Sequence, residues 1–157
     1  MRKRVIFDDM RGWFWPDLAK LEPFFLAPKG QEWSYYGGND NWGLRVEGMY
    51  GTGNREPYRD RVDAKLNMWG NAEYGVLLIY QKSGGGYREL YSSRGDLSRL
   101  GEIIRTLQDD PMPVGLFIPF AEAWKAVKEF METEGELPKS IEWIANKDLP
   151  PNTFPDP

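Results

Sequence analysis

No cysteine and no histidine occur among the 157 residues of this chain. The missing cysteines exclude disulfides, thiolate nucleophiles and thiolate metal sites. The missing histidines exclude more, because imidazole is the usual general base near neutral pH and the commonest metal ligand. Ser-His-Asp triads, Cys-His pairs and histidine-based zinc centres drop out together. What remains for an enzyme is carboxylate, lysine or tyrosine chemistry, and neither a metal nor a cofactor is expected.

Long apolar runs are missing too. No stretch approaches the roughly 20 apolar residues of a membrane span. The basic start Met1-Arg2-Lys3-Arg4 leads only into Val5-Ile6-Phe7 before Asp8-Asp9, too little for a signal-peptide core. Cytoplasmic residence with no membrane partner is the expectation. Positive charge is in modest deficit: the net charge is −4 and the sequence pI is near 5.0. That balance argues against direct nucleic-acid binding and leaves room for an acidic patch that meets a basic partner.

Hydrophobic residues at 41% and charged residues at 28% fit an ordinary globular chain. Such a length buries about 68 to 70% of the unfolded surface, so one domain over residues 1–157 is expected. Residues 1–41 are aromatic-rich, with Trp13, Phe14, Trp15, Phe24, Phe25, Trp33, Tyr35 and Tyr36. Within them Pro16 to Leu21 predicts a short helix ended before Pro23. The Pro-rich segment 146–157 predicts an extended, partly mobile tail.

Between these ends the patterning is that of strands. Trp42 to Tyr50 alternates apolar and polar residues. Val62 to Trp69 sets Val62, Ala64, Leu66 and Met68 on one face, with Gly70-Asn71 as a turn. Tyr74 to Gln81 is the most apolar run and predicts the central strand, followed by a Ser83-Gly84-Gly85-Gly86 loop and a return over Tyr87 to Tyr91. Connections this short force antiparallel pairing. Asp96 then predicts the cap of a helix with Leu97, Leu100, Ile103, Ile104 and Leu107 as its stripe, and Val114 to Ile118 a brief strand. The order predicts an α+β fold: a mainly antiparallel sheet of four to six strands with two principal helices packed on one face.

The last third is the most distinctive. Phe120, Trp124, Val127, Phe130 and Met131 recur at helical spacing, Pro119 suits a first turn, Gly135 a stop, and Pro138 forbids resumption. Ile141 and Trp143 then share one face of an extended segment, so Trp124, Phe130 and Trp143 are expected in one core. The ordered string Ile118-Pro119, Ala123, Ala126-Val127, Phe130, Gly135, Pro138, Ile141 and Trp143 resembles the Imm1 family of immunity proteins of bacterial polymorphic toxin systems. The resemblance covers roughly half the chain. It implies a non-catalytic antidote, encoded beside a toxin, that docks on the toxin domain and occludes its active site; the toxins of such systems include nucleic-acid deaminases and nucleases.

Several segments invite a site. Gly84-Gly85-Gly86 lacks the following Lys-Ser/Thr of a phosphate loop and joins two strands. The carboxylates Asp8-Asp9, Asp60 with Asp63, and Asp109-Asp110 read first as solvated surface charge, because acid/base catalysis needs two carboxyls about 5 to 9.5 Å apart in unlike environments and adjacent residues in polar loops seldom meet that demand. Trp33, Tyr35, Tyr36 and Trp42 suit either a core or a stacking surface, since each ring buries about 150 to 250 Å². Glu132, Glu134, Glu136 and Glu142 gather where the last helix ends, against its dipole. The partner-binding candidates are therefore Asp109, Asp110, Glu132, Glu134, Glu136, Trp33, Tyr35, Tyr36 and Trp42, with a cognate toxin domain as partner. The alternative is a carbohydrate or small-ligand binding protein, or a carboxylate-dependent hydrolase, built on the same aromatic and acidic residues.

Overall fold

Alternation of apolar and polar residues generates most of this architecture. The computed structural model describes residues 1–28, 31–33 and 41–157. In chain order the elements are β1 (Arg2–Phe7), β2 (Met10–Gly12), α1 (Leu18–Leu26), β3 (Asn41–Met49), β4 (Val62–Asn71), β5 (Gly75–Gly84), β6 (Tyr87–Ser93), β7 (Ile103–Arg105), β8 (Pro111–Pro113), β9 (Phe117–Ile118), α2 (Phe120–Glu132) and β10 (Trp143–Ala145). The fold is α+β. Among the described residues eight strands form one antiparallel sheet in the order β10-β6-β5-β4-β3-β1-β2, with β9 paired to β5 beyond the reach of β6.

Four to six strands were expected, and the difference lies mainly at the amino terminus. Val5-Ile6-Phe7 is a short apolar run, yet β1 pairs with β3 over five residues and turns into β2. Val5 and Phe7 point into the core and are fully buried. The helix α1 also departs from expectation. It runs through Pro23 to Leu26, with Asp17 preceding it. Proline removes one helical N–H, but Leu21, Phe24 and Phe25 are all buried, and that burial holds the helix together across the gap.

The two helices lie on the same face of the sheet. Their buried residues, including Phe24, Phe25, Trp124, Val127 and Phe130, form one cluster with Val5, Leu44, Val46, Leu66, Leu78 and Tyr80 from the strands. Phe130 is fully buried, Trp124 nearly so, and Trp143 packs against the same cluster from β10, as the helical and two-residue spacings predict.

The helix predicted after Asp96 does not form. Asp96 does accept a hydrogen bond from the Ser98 N–H at 3.1 Å, but what it caps is the single 3₁₀ turn Leu97–Arg99. Ile103-Ile104 then enters β7, which pairs with β8 as a separate two-stranded ribbon. Gly101 weakens a helix, β-branched Ile103 and Ile104 favour a strand, and Pro111 and Pro113 are tolerated because a two-stranded ribbon has free edges. Met112, Leu116 and Phe117 from this region pack with Trp69 and Leu77 on the face opposite the helices, joined by Ile79 and Ile144. The carboxyl-terminal segment is more structured than an extended tail: Asn146–Asp148 makes a 3₁₀ turn, Leu149 packs on this second cluster, and Thr153 is buried.

Candidate functional site

The acidic exit of α2 is shaped by two successive residues in the left-handed region, Glu134 (φ 54°) and Gly135 (φ 108°). The Gly135 N–H returns to the carbonyl of Phe130 at 2.9 Å, closing the helix end. A side chain at Gly135 is excluded twice, because a Cβ there would lie 2.5 Å from Val46 Cγ1 and the backbone sits where glycine is favoured. The exit is thereby pressed onto the sheet, and the three glutamates meet unlike surroundings.

Glu132 is exposed and makes no ion pair with the described residues. Glu134 pairs with Lys3 of β1 at 3.0 Å, both side chains open to solvent. Glu136 enters a cluster around Lys82 of β5. The Lys82 ammonium donates to the Tyr50 hydroxyl oxygen at 2.9 Å and to Glu136 Oε2 at 3.0 Å, Tyr50 donates to the other Glu136 oxygen, and the ammonium lies 4.9 Å from the centre of the Tyr87 ring. Lys82 itself is 5% exposed.

Burial would discharge such a lysine, but the hydrogen bonds to Tyr50 and Glu136 outweigh it and hold the ammonium above the ordinary lysine range. Burial likewise opposes the Glu136 carboxylate, and the same two partners outweigh it, so its pKa falls below the usual 4.5. Burial, and then the bond to Glu136, raise the Tyr50 hydroxyl. The outer side of the cluster is aromatic. Tyr50 is 52% exposed, Tyr87 is 38% exposed, and their rings stand 6.0 Å apart.

The other candidates fall elsewhere. Asp109 and Asp110 occupy the tip of the β7–β8 ribbon, where Arg105 donates to the Asp109 carbonyl at 3.0 Å and the Asp110 N–H donates to the Thr106 hydroxyl at 3.0 Å. That ribbon covers the face opposite α2, so these aspartates and the α2 glutamates do not form one surface. Trp33 and Trp42 are core residues, not a stacking surface: their rings stack at 4.4 Å beside Phe7, with 9% and 2% exposure. Tyr35 and Tyr36 lie outside the described residues.

Sequence reasoning did not single out Tyr50, Lys82 or Tyr87. Lys82 carried a usable signal, since Val76, Leu78, Tyr80 and Lys82 are successive members of one strand face, which places the lysine on the core side of β5. No pattern announces Tyr50, which follows β3 with a φ of 60° after the alternation has already been broken at Gly48, between Glu47 and Met49.

The arrangement offers hydrogen bonds, charge and aromatic area. Among the described residues no group of three or more carboxylates is placed to hold a metal ion. Asp8 is raised by burial, with lesser opposed effects from the Asp9 N–H and carboxylate, but it lies in the β1–β2 turn. No described helix is long and apolar enough to cross a membrane.

A family model described as immunity protein Imm1 matches residues 39–145, more than half of the chain. The match spans β3 to β10 and includes the Lys82 cluster and the α2 exit. No curated protein and no solved structure gives a match.

Proposed function

Because this chain belongs to the Imm1 family of immunity proteins, we propose that it neutralises a cognate toxin domain in the cytoplasm by docking on it and occluding its active site, with no catalysis of its own. The docking surface proposed is the exit of α2 together with Tyr50 and Tyr87. The observation that carries this choice is the composition of that corner: two exposed tyrosines over a buried lysine, one of them bonded to Glu136, with Glu132 and Glu134 next to Glu136 along the chain. Tyrosine is enriched at binding hot spots because it presents a large rigid face with a polar tip. Fixing Tyr50 and Glu136 through Lys82 lowers the ordering cost of association.

The acidic character fits a toxin that handles nucleic acid, a deaminase or nuclease, whose own site must attract a polyanion. The carbohydrate alternative loses its main support, since Trp33 and Trp42 are packed inside.

The test is co-expression with the toxin domain encoded beside this chain, purification of the complex, and stopped-flow association at two salt concentrations. Glu132→Lys with Glu134→Lys is the informative variant, because neither side chain is buried. Association should slow about tenfold and its salt dependence should weaken. Unchanged kinetics in the folded variant would remove this corner from the interface, and no association by the unaltered chain would remove the toxin reading itself.

A further inference from the structure

The ribbon β7–β8 covers only part of the face opposite the helices, because its contacts are to Trp69, Leu77, Ile79 and Ile144. Among the described residues no other element on the sheet's far side covers the outer face of β1, β3 and the first half of β4, and the strand register fixes what stands there. Arg4 is opposite Arg45, and Arg45 is opposite Lys65. Three cations thus form one row across three neighbouring strands, with about 4.8 Å between strands. Like charges placed directly opposite destabilise a sheet; Arg45 offsets this by pairing with Glu47 and Asp63, and the Arg4 guanidinium lies 5.3 Å from the centre of the Trp13 ring.

The neighbouring rows sharpen the pattern. On one side Arg2, Glu47 and Asp63 are in register, and Arg45 turns toward that side, 3.2 Å from Glu47 and 3.3 Å from Asp63. Asp63 also accepts from the Gly48 N–H at 3.0 Å. The two carboxylates are therefore engaged. Arg4 and Lys65 keep no carboxylate partner among the described residues. On the other side Ile6, Gly43 and Asn67 are in register. With no side chain at Gly43 the row dips, and a Cβ there would lie 2.9 Å from the Asn67 side-chain oxygen. The result is a furrow of about 370 Å³ lined by Arg4, Ile6, Gly43, Arg45, Lys65 and Asn67. Beside it Trp13 is 52% exposed, with the Arg2 guanidinium 3.9 Å from its ring centre.

We infer that this furrow is a second docking surface and that it receives an acidic segment of the toxin, an aspartate or glutamate side chain entering between Arg4 and Lys65. The inference rests on reading the chain as a toxin-binding protein. Charge complementarity identifies the occupant: the chain carries −4 overall, yet this face gathers unneutralised cations around a hollow of side-chain size. A planar guanidinium and an ammonium on either side of a carboxylate supply charge-assisted hydrogen bonds. The carboxylates of Glu47 and Asp63 stand in the adjacent row, so a phosphate backbone running along the strands would meet them, whereas a single acidic side chain would not. The furrow and the acidic α2 exit lie on opposite faces of the sheet. A partner that meets both is fixed in orientation by charges of both signs.

The decisive variant is Arg4→Glu with Lys65→Glu, examined with the full chain against the toxin domain of the adjacent gene, with a decaglutamate peptide and a dodecathymidylate as probes. Association of the folded variant should be slower by about tenfold or more, and decaglutamate should compete with the toxin for the unaltered chain. If the reversed variant fails to fold, Arg4→Gln with Lys65→Gln replaces it with the same expected direction. Unchanged association in either folded variant overturns the furrow and leaves the proposed function standing. If the unaltered chain does not associate with the toxin, the proposed function fails, and the furrow is judged by NMR titration with decaglutamate. Amide shifts confined to Arg4, Gly43, Lys65 and Asn67, and lost in the variant, support it; their absence overturns it. Binding of dodecathymidylate there in preference to decaglutamate also overturns it, in favour of a nucleic-acid surface.

Discussion

The Tyr80 hydroxyl donates a 2.7 Å hydrogen bond to the carbonyl oxygen of Gly135. This bond joins the centre of the sheet to the residue that stops α2, and it is buried at both ends. Burial holds the phenol neutral well above the ordinary tyrosine range, so it keeps the proton that it donates. Tyr80→Phe keeps the ring and its edge contact with Phe130 while leaving the Gly135 carbonyl unpaired. The expected loss is about 1 to 3 kcal/mol, read as a lower midpoint in urea denaturation with an unchanged slope. Because the same bond places Glu134 and Glu136, which belong to the proposed docking surface, dissociation from the proposed toxin partner should also quicken.

The Lys82 cluster gives the stability a pH dependence with a defined sign. Glu136 is held below its ordinary pKa of 4.5, so its contribution is complete above that value and is lost as the pH falls through the lower, folded-state value. Lys82 is shifted upward from 10.5; its contribution is complete below that value and is lost as the pH rises through the folded-state value. Glu136→Gln should flatten the acid limb of a stability profile measured between pH 6 and pH 3. An acid limb identical to that of the unaltered chain would show that the Glu136 carboxylate is not coupled to folding.

How far the sequence reaches can be argued from single strands. The face made by Val62, Ala64, Leu66 and Met68 is legible because every second residue is apolar, and all four are buried. The core side of β1 was harder to see, since Lys3 interrupts the alternation with Val5 and Phe7 and pairs with Glu134 instead. The stripe Leu97, Leu100, Ile103, Ile104 and Leu107 mimics a helix by spacing alone. What decides against it is tertiary: the underside of β4 and β5 carries Trp69 and Leu77, and a ribbon covers them. Of the candidate site, the glutamates were visible as a local cluster. Their unequal roles were not, because they depend on Lys3 and Lys82, which are distant in sequence.

Phe130 joins α2 to the sheet and to the amino-terminal segment, with its ring 5.5 Å from Trp15 and 6.1 Å from Tyr80. Truncation to alanine at this fully buried position should cost about 3 to 5 kcal/mol. Phe130→Leu, which keeps more of the volume, should cost less. Equal losses for the two variants in thermal or chemical denaturation would mean that the cavity collapses and that Phe130 is not a packing anchor.

The three glutamates at the α2 exit should respond differently to charge reversal. Glu132→Lys alters an exposed side chain with no ion pair among the described residues, and such substitutions usually change stability by less than about 0.5 kcal/mol. Glu136→Lys places a second ammonium against Lys82, which is 5% exposed and relies on Glu136 Oε2 at 3.0 Å. Removing one partner of a buried charge leaves the other uncompensated, a loss of about 3 to 5 kcal/mol in a fully buried pair. Glu136 is partly open to solvent and Lys82 keeps Glu89 at 3.9 Å, so about 2 to 3 kcal/mol is expected here, still several times the effect at Glu132. Reversing all three glutamates together would therefore confound folding with binding. Thermal melts of the two single variants decide the matter: matching midpoints would show that Lys82 finds solvent or another partner, and would remove the argument that this lysine organises the corner where the toxin is proposed to dock.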